Sequence, residues 1–305
     1  MTEKKAADLR RSAKGVYAVV LVGGRGKRLR PLSTDKRPKA FLSVTRNKKT
    51  MFRNTIDRIR RMVPDENIVV VANRLHTSLV TKDMPEIRKL NLLLEPVSRN
   101  TAPAVAFASK IIAERDKDAV VMVLPTDHYI SDEAKQVACL EKSALFIKKR
   151  PGGIVVIGLK PRYPSTEFGY IKIRARGRQG CGFEKVERFV EKPDLDTAKR
   201  YMASGGYLWN SGVFIFRAGY FLKAVKRYAP GIFNILGEGD ADALSYGRMP
   251  DISLDYAVME KERRMYCVRA AYGWDDMGSF RALKNVLIRE SRRFVEKDGK
   301  IVSIL

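Results

Sequence analysis

A run of glycines and cations follows the first apolar segment of the chain. Gly23, Gly24 and Gly26 come directly after the apolar residues 16–22, and seven lysines or arginines lie between positions 25 and 39. Glycine lets backbone amides approach an anion closely, and such turns after a buried strand can bind phosphate. The third glycine of the dinucleotide fingerprint and the Ser or Thr of a P-loop are both missing. The pattern therefore favours a polyphosphate site of another kind over a tight turn with solvated charges.

Two aspartates stand at further places where a strand is expected to end. Asp127 follows the apolar residues 119–124, and Asp276 lies far along the chain in a turn at 273–276. Two carboxylates from different strand ends can hold one Mg²⁺, with phosphate oxygens and waters in the other positions. A capping role is the alternative for either aspartate. With only two histidines in the chain, His76 and His128, we expect catalysis to depend on carboxylates, amines and guanidiniums.

Alternating apolar and helical segments predict the elements that position these residues. We predict strands over residues 16–22, 68–71, 91–94, 119–124 and 154–159, and helices over residues 51–62, 101–114 and 132–150. Fully apolar strands that alternate with helices are typical of a buried parallel sheet covered on both faces. Further on, shorter strands are predicted at 168–174, 183–190, 212–216 and 264–268, with helices at 194–204 and 219–228. This second half is expected to form a mixed-sheet lobe, with a soft boundary near residues 160–164.

Composition sets limits on the class of protein. The chain has 305 residues, 45% hydrophobic and 30% charged, as expected of a globular protein. Its 59 basic and 34 acidic residues give a net charge of +25, which attracts polyanions or simply reflects a solvated basic surface. Three cysteines with no CxxC pair argue against a zinc site and favour a reducing cytoplasm. Residues 1–14 form a charged tail unlike a secretory signal, and no apolar run predicts a membrane helix.

Seven motifs in register resemble the sugar-1-phosphate nucleotidyltransferases and, among them, the mannose-1-phosphate guanylyltransferases. They are Gly-Gly-x-Gly-x-Arg-Leu-x-Pro-Leu from residue 23 with Pro-Lys-Ala-Phe at 38–41, Glu-Pro-Val-Ser-Arg-Asn-Thr-Ala-Pro at 95–103, Pro-Thr-Asp-His at 125–128, Phe-Val-Glu-Lys-Pro at 189–193, Trp-Asn-Ser-Gly at 209–212, Leu-Asp-Tyr-Ala-Val-Met-Glu at 254–260 and Trp-Asp-Asp-Met-Gly-Ser-Phe at 274–280. Their order and spacing hold from about residue 16 to residue 290.

The resemblance implies a fold and a reaction. The fold would be a three-layer, Rossmann-like (GT-A-like) α/β domain with a mixed central sheet over residues 15–290. Its nucleotide-binding half would reach about residue 160, its sugar-binding half would cover residues 161–290, and residues 291–305 would form a short extension. The reaction would condense GTP and mannose-1-phosphate to GDP-mannose and pyrophosphate, with Mg²⁺ as cofactor. A sugar phosphate is largely a dianion at neutral pH, so positioning and charge stabilisation are the main demands.

The resemblance also implies residue roles. Arg28 and Lys39 would bind the phosphates, and Asp127 and Asp276 would hold the metal. Nucleotide binding would fall to Gly23, Gly24, Gly26, Glu95, Asn100 and Thr101, and sugar-phosphate binding to Gly169, Glu191, Lys192 and Asn210. Asn100 or Thr101 also suits a helix N-cap, and Glu95 or nearby carbonyls can accept from the guanine donors that adenine lacks. Asp255 receives no role beyond a sugar-lid contact, and His128 is expected to be a packing residue.

The sequence departs from the family at a few positions and leaves alternatives open. Lys27 and Arg30 replace a Thr and a Trp, Ala40 replaces a Gln, and Phe280 replaces a Trp. Family members often continue into a β-helix or cupin-like part, which is not expected in a chain that ends at Leu305; a homodimer remains open. The alternatives are another sugar phosphate or base, a catalytically silent nucleotide-sugar binder, and a basic nucleic-acid-binding protein. Because no helix-turn-helix, RRM or zinc-finger pattern is visible, nucleic acid is not expected as a partner.

Overall fold

The computed structural model describes residues 15–23, 26–89, 91–150, 152–174, 182–237 and 243–305. The predicted tail at 1–14, the candidate residue Gly24, its neighbour Arg25 and Cys181 lie outside these residues, as does the side chain of Lys27.

Strands and helices alternate through the first half of the chain. The strands are β1 (Val16–Val22), β2 (Ile68–Asn73), β3 (Asn91–Glu95), β4 (Val120–Pro125), β5 (Tyr129–Ile130) and β6 (Ile154–Leu159), and the helices are α1 (Met51–Ile59), α2 (Thr77–Asp83), α3 (Thr101–Arg115) and α4 (Glu133–Lys149). The first and last residues predicted for β1 and for β6 are confirmed. Helix α1 ends three residues before the predicted position, because the chain turns ahead of Pro64, and a proline disfavours helix in the residue before it.

The second half mixes shorter elements. They are β7 (Tyr170–Ile173), β8 (Phe183–Val190), α5 (Leu195–Ser204), β9 (Tyr207–Arg217), α6 (Ala218–Tyr228), α7 (Pro230–Gly237), α8 (Ala243–Gly247), a π-helix (Asp255–Met259), β10 (Met265–Ala270), β11 (Trp274–Asp275), α9 (Phe280–Arg289), β12 (Phe294–Lys297) and β13 (Lys300–Ile304). Two expectations are corrected, since strand β9 is much longer than the predicted 212–216 and the predicted turn at 273–276 contains strand β11. The Asp-Tyr-Ala-Val-Met segment is a helix of the π type.

One nine-stranded sheet joins the two halves, in the order β3-β2-β1-β4-β9-β6-β10-β8-β7. Strands β1 to β4 pair in parallel, as predicted, through registers such as Val19–Val69 and Val19–Val123. Strand β9 lies antiparallel between β4 and β6, so an element of the second half is at the centre of the sheet. Strand β7 pairs with both β8 and β9, which closes the strands of the second half into a small ring.

Alternate strand residues build a separate core on each face of the sheet. Val20 and Met122 face a core filled by α1 and α4, whereas Val19 and Val121 face one filled by α3 and α6. This alternation of buried residues is what fully apolar strands allow. The predicted three-layer α/β fold with a mixed sheet is therefore confirmed.

A third, smaller core lies beneath α9 and the β12–β13 hairpin. It includes Leu29, which follows the glycine loop, and Met277, which follows the predicted metal-binding aspartate. The packing therefore brings two distant site segments together. None of the described helices is both long enough and apolar enough to cross a membrane.

Candidate active site

The Lys39 ammonium joins the two predicted metal-binding aspartates. Its Nζ lies 3.2 Å from a carboxylate oxygen of Asp127 and donates to the backbone carbonyl of Asp276. The Lys39 side chain is only 8% exposed, so its charge is held in place rather than solvated. Asp127 follows β4, and Asp276 follows β11, which is pinned to β5 by antiparallel pairing. The structure thus brings together three residues that are up to 237 positions apart in sequence.

The charges in this cluster act on the acidity of their neighbours. Burial acts to raise the pKa of the Asp127 carboxyl, but the Lys39 ammonium, His128 and the hydrogen bonds to the carboxylate together bring that pKa below its usual range. Burial lowers the pKa of His128, which favours the neutral imidazole. The His128 ring packs edge-on against Trp274 at 5.1 Å between centroids, which agrees with the packing role expected for it.

The described part of the glycine loop folds back onto the same cluster. Gly26 has a φ of +57°, and a Cβ there would lie 2.9 Å from Ser33 Oγ and 3.1 Å from Lys39 Cβ. Ser33 Oγ in turn donates to the Gly26 carbonyl at 2.6 Å. A side chain at position 26 would therefore push directly against Lys39. Gly23 is exposed at the end of β1.

Arg28 lies near Asp276, because a Cβ on Gly278 would be 3.5 Å from its Nη2 and would also meet the Asp276 carboxylate. Its guanidinium donates to the carboxylate of Glu167, which comes from the second half of the chain, and more than half of each side chain is exposed. An ion pair this exposed contributes little to stability. A triphosphate could therefore displace Glu167 from Arg28 at small cost.

Four of the six predicted nucleotide-binding residues line one cavity of about 560 Å³. Gly23 comes from the end of β1, Glu95 from the end of β3, and Asn100 and Thr101 from the start of α3. Ser98 and Asp251 complete its polar lining and were not among the predicted residues. The volume lies within the usual range of small-molecule sites.

Glu95 is the buried acceptor of this cavity. It is 9% exposed, and its Oε1 accepts a hydrogen bond from the Tyr246 hydroxyl at 2.5 Å. Burial raises the pKa of Glu95, although the bond from Tyr246 works in the opposite direction. The carboxyl group therefore has a fixed orientation and a second oxygen that Tyr246 does not contact.

The two residues that follow differ in role. Asn100 has a φ of +67° and is the N-cap of α3, since its side chain accepts from the Thr101 N–H. Thr101 Oγ1 accepts from the Leu254 N–H at 2.8 Å, which ties α3 to the segment before the π-helix. The open choice of N-cap is settled in favour of Asn100.

All four predicted sugar-phosphate residues lie in one cluster. Glu191 is 8% exposed, and its Oε1 accepts from the Lys192 ammonium. Its Oε2 has no hydrogen-bond partner among the described residues and lies 2.5 Å from where a Cβ on Gly169 would be. The Asn210 N–H donates to the Gly169 carbonyl at 2.8 Å, so β9 holds the loop against Glu191. The cluster offers an unpaired carboxylate oxygen and a cation side by side, which suits a hydroxyl and a phosphate.

Asp255 belongs to this cluster, although sequence reasoning assigned it no firm role. Its Oδ1 accepts from Asn210 Nδ2 at 2.9 Å, while Asn210 Oδ1 accepts from the Gly212 N–H at 2.9 Å. Both ends of the Asn210 amide are therefore fixed. Burial and the nearby Glu191 carboxylate raise the pKa of Asp255 to about 7, with Lys192 acting against them.

Sequence reasoning missed several residues that hold the site. Glu260 accepts from the Glu191 N–H at 2.8 Å, and Tyr246 orients Glu95. Glu260 and Ser98 stand inside motifs that were recognised, so a closer comparison of those motifs could have singled them out. Tyr246, Glu167 and Asp251 have no local signal, because only the tertiary fold brings them to the site.

The donor set of the aspartates can be compared with the predicted cofactor. Asp127 and Asp276 offer hard oxygen ligands, and among the described residues no group of three or more acidic, His or Cys side chains could hold a metal alone. Mg²⁺ is usually bound through one or two carboxylates together with substrate phosphates and waters. Two aspartates beside the buried Lys39 ammonium therefore fit a magnesium ion that would bind along with a nucleotide.

Comparisons with known proteins agree with this geometry. The family model described as nucleotidyl transferase matches residues 17–290. The chain is 36% identical to the alginate biosynthesis protein AlgA of Pseudomonas syringae, over 94% of this chain and 64% of that protein. It is 37% identical to the mannose-1-phosphate guanylyltransferase of Escherichia coli K12, over 88% of this chain and 59% of that protein. The chain thus spans about three fifths of the length of these relatives.

A solved structure supports the same assignment. The crystal structure of a protein from Thermus thermophilus, described as a mannose-1-phosphate geranyltransferase, superposes with a TM-score of 0.80 at 36% identity. The match covers 89% of this chain and 79% of that chain. Since the family model and these relatives cover most of its length, the chain belongs to the nucleotidyl transferase family.

Proposed function

We propose that the chain transfers a guanylyl group from GTP to mannose-1-phosphate, forming GDP-mannose and releasing pyrophosphate. The observation that carries the proposal is the contact of the buried Lys39 ammonium with both Asp127 and Asp276. A fixed cation between the Asp127 carboxylate and the Asp276 backbone carbonyl, at the edge where the parallel strands end, suits the binding of metal-bound phosphates. The name of the E. coli relative, a mannose-1-phosphate guanylyltransferase, supports this choice of reaction class.

The chemistry asks the protein mainly to position anions. A phosphate oxygen of the sugar phosphate attacks the α-phosphorus, a new P–O bond forms, and the bond to the pyrophosphate oxygen breaks. Lys39 would stabilise charge near the reacting phosphorus, and Arg28, once it leaves Glu167, would bind the departing pyrophosphate. Mg²⁺ held by Asp127 and Asp276 would neutralise part of the triphosphate charge.

Base and sugar selection follow from the two ends of the site. The second oxygen of Glu95 is an acceptor for the N1 or N2 donors of guanine, which adenine lacks. At the other end, Lys192 would bind the sugar phosphate, while Glu191 and Asn210 would bind hydroxyls.

We also propose a cytoplasmic location, supported by the small number and wide spacing of the cysteines.

The test is a pyrophosphate-release assay over a grid of nucleotides and sugar-1-phosphates with magnesium. We expect the GTP and mannose-1-phosphate pair to give the highest rate. Asp127→Asn and Asp276→Asn should each lower that rate by at least about 100-fold, because each removes a carboxylate proposed to hold the Mg²⁺ that would neutralise part of the triphosphate charge. Asp196→Asn, at an 81% exposed aspartate of α5, is the matched control and should leave the rate unchanged.

Two results would contradict the proposal. No pyrophosphate from any pair, with nucleotide sugar still bound, would make the chain a silent binding protein. A higher rate with another base or sugar phosphate would support nucleotidyl transfer but contradict GTP and mannose-1-phosphate as the substrates.

A further inference from the structure

A second cavity, of about 540 Å³, opens at the same edge of the sheet. Its walls are residues 159–162 at the end of β6 and residues 270–274 at the end of β10, and Trp209 of β9 completes it. It shares no lining residue with the cavity beside Glu95, and its described lining holds none of the residues given a role above in binding or catalysis. Its volume is again that of a small-molecule site.

The charge of this second cavity favours an anion. Lys160 and Arg162 line it, and no acidic side chain is among its described lining residues. Lys160 is exposed and makes no ion pair or hydrogen bond within the described part of the chain. Arg162 Nη2 donates to the Trp274 carbonyl at 3.1 Å and lies 3.4 Å from the Asp275 carboxylate. Of the two cations that the structure describes here, one is therefore free and the other is weakly held.

The aromatic lining favours a ligand with a ring and many oxygens. Trp209 and Trp274 each pack edge-to-face against Phe168, at 4.9 and 5.3 Å between centroids. Both indole N–H groups are buried without a hydrogen-bond partner among the described residues. This wall therefore carries two N–H donors that lack acceptors. Trp209 is 1% and Trp274 8% exposed, so a sugar ring would contact only the small part of each ring that reaches the cavity.

We propose that this second cavity binds a phosphorylated monosaccharide and that its occupant lowers turnover at the active site. Lys160 and Arg162 would bind the phosphate, and the rings would contact the sugar. A bound anion would draw Arg162 away from the Trp274 carbonyl and the Asp275 carboxylate. Residues 274–275 would then lose this contact, and the next residue, Asp276, is the one that contacts Lys39. The binding part stands without the proposed function, whereas the effect on turnover rests on it.

Intrinsic fluorescence tests the binding directly, because the chain has two tryptophans and both line the second cavity. Titration with glucose 6-phosphate should give a saturable change, with much weaker responses to glucose or inorganic phosphate alone. Lys160→Gln and Arg162→Gln should each weaken the apparent affinity about tenfold, the effect of losing one charge-assisted hydrogen bond. The matched control is Lys199→Gln at an exposed lysine of α5, which should titrate like the unchanged protein.

A further variant separates the two sugar-phosphate sites. In Lys192→Gln the fluorescence change should persist, because Lys192 belongs to the substrate cluster. Loss of the fluorescence change in Lys192→Gln would overturn the proposal. So would the absence of a saturable change in the unchanged protein. The third such result is that Lys160→Gln and Arg162→Gln both titrate like the unchanged protein. An unaltered rate of pyrophosphate release at saturating glucose 6-phosphate would overturn the regulatory part. Failure of the proposed function would instead appear as no pyrophosphate release, with the titration intact.

Discussion

Lys39 shows how much of the site depends on one buried charge. Replacing it by methionine keeps its length but leaves Asp127 without its ion-pair partner, 3.2 Å away. We expect Lys39→Met to lower pyrophosphate release by about 100-fold or more, as for loss of one donor to the transition state. Lys39→Arg keeps the charge in a different shape and should retain more of the rate. Steady-state assays of both variants check this, and equal rates for them would show that the charge itself is unimportant.

The proposed choice of guanine depends on a single residue, Glu95. Glu95→Gln replaces one of the two acceptor oxygens by a donor, which would face the guanine donors. We expect the preference for GTP over ATP, as a ratio of kcat/KM values, to fall roughly 10- to 100-fold. Tyr246→Phe removes only the hydroxyl that orients the carboxylate and should reduce the preference less. An unchanged ratio in Glu95→Gln would move guanine recognition to the backbone.

Asp255 gives the site a pH-dependent stability. An unfolded aspartate has a pKa near ~3.9, whereas burial and Glu191 raise the pKa of Asp255 to about 7. Between about pH 4 and pH 7 the folded state therefore binds a proton that the unfolded state has lost. The contribution of this group to stability falls as pH rises through that range and is constant above it.

The Asp255→Asn variant removes this titration but keeps an acceptor for Asn210. We expect its free energy of unfolding to decline less between about pH 4 and pH 7, and to exceed that of the unchanged protein at about pH 8 by on the order of 2 kcal/mol. Urea unfolding at several pH values measures this. Asp196→Asn, at an exposed aspartate, should leave the pH profile unaltered. Parallel profiles for Asp255→Asn and the unchanged protein would contradict the assignment.

Sequence motifs predicted residues better than they predicted contacts. Asp127 and Asp276 could be singled out because they stand in motifs that carry the family resemblance, since a carboxylate at the end of a strand is by itself equally suited to a cap. Their link through Lys39 could not be foreseen, since it depends on the pairing of β11 with β5 and on the small core beneath α9. Asp255 shows the same limit: its contact with Asn210 exists only because the π-helix packs beside β9.

At the scale of elements, apolar runs and runs that mix apolar with charged residues both located strands, since β8 (Phe183–Val190) also has its predicted ends. Strands β1 and β6 have the predicted ends because every residue in them is apolar or small and both faces are covered. Strand β9 was predicted too short, since polar residues at 210 and 211 and Gly212 interrupt its pattern. Gly212 has a φ of +70°, and the strand continues through it while changing neighbours from β7 to β4. An alternating pattern of apolar and polar residues cannot predict a single strand that pairs with one neighbour along its first half and with another along its second half.

Two adjacent glycines after α5 allow a controlled test of backbone strain. Gly205 has a φ of +68° and ends the helix in the left-handed conformation, and Gly206 follows with no such constraint. A Cβ at either position would meet no described atom within 4 Å. Gly205→Ala should therefore destabilise the protein by about 1 kcal/mol through conformation alone.

Gly206→Ala is the matched control. It should be neutral or slightly stabilising, because alanine restricts the unfolded chain without straining the folded one. Chemical denaturation of both variants gives the comparison. Equal destabilisation by both would mean that lost flexibility at this turn, rather than the left-handed conformation of Gly205, sets the effect.

At the scale of the whole molecule, the net charge of +25 is expected to act on substrate capture. Part of the positive charge is locally balanced; Arg53 and Arg60, for example, form ion pairs with Asp57, Asp65 and Glu86 beside α1. The excess remains as a long-range field that attracts anions such as GTP. Since the screening length falls from about 30 Å at 0.01 M salt to about 8 Å at 0.15 M, this attraction depends on salt.

We expect KM for GTP to rise roughly three- to tenfold between about 0.01 and 0.2 M potassium chloride at fixed magnesium, while kcat changes less than about twofold. The reason is that salt screens the approach of the nucleotide more than it screens the buried contacts of Lys39. Sucrose at matched osmolality is the control and should leave KM unchanged. A KM that is independent of salt would mean that the excess charge lies too far from the cleft to steer substrate. If kcat fell as KM rose, the salt-sensitive charges would instead lie at the reacting phosphates. The exposed Arg28 would then be the first residue to test.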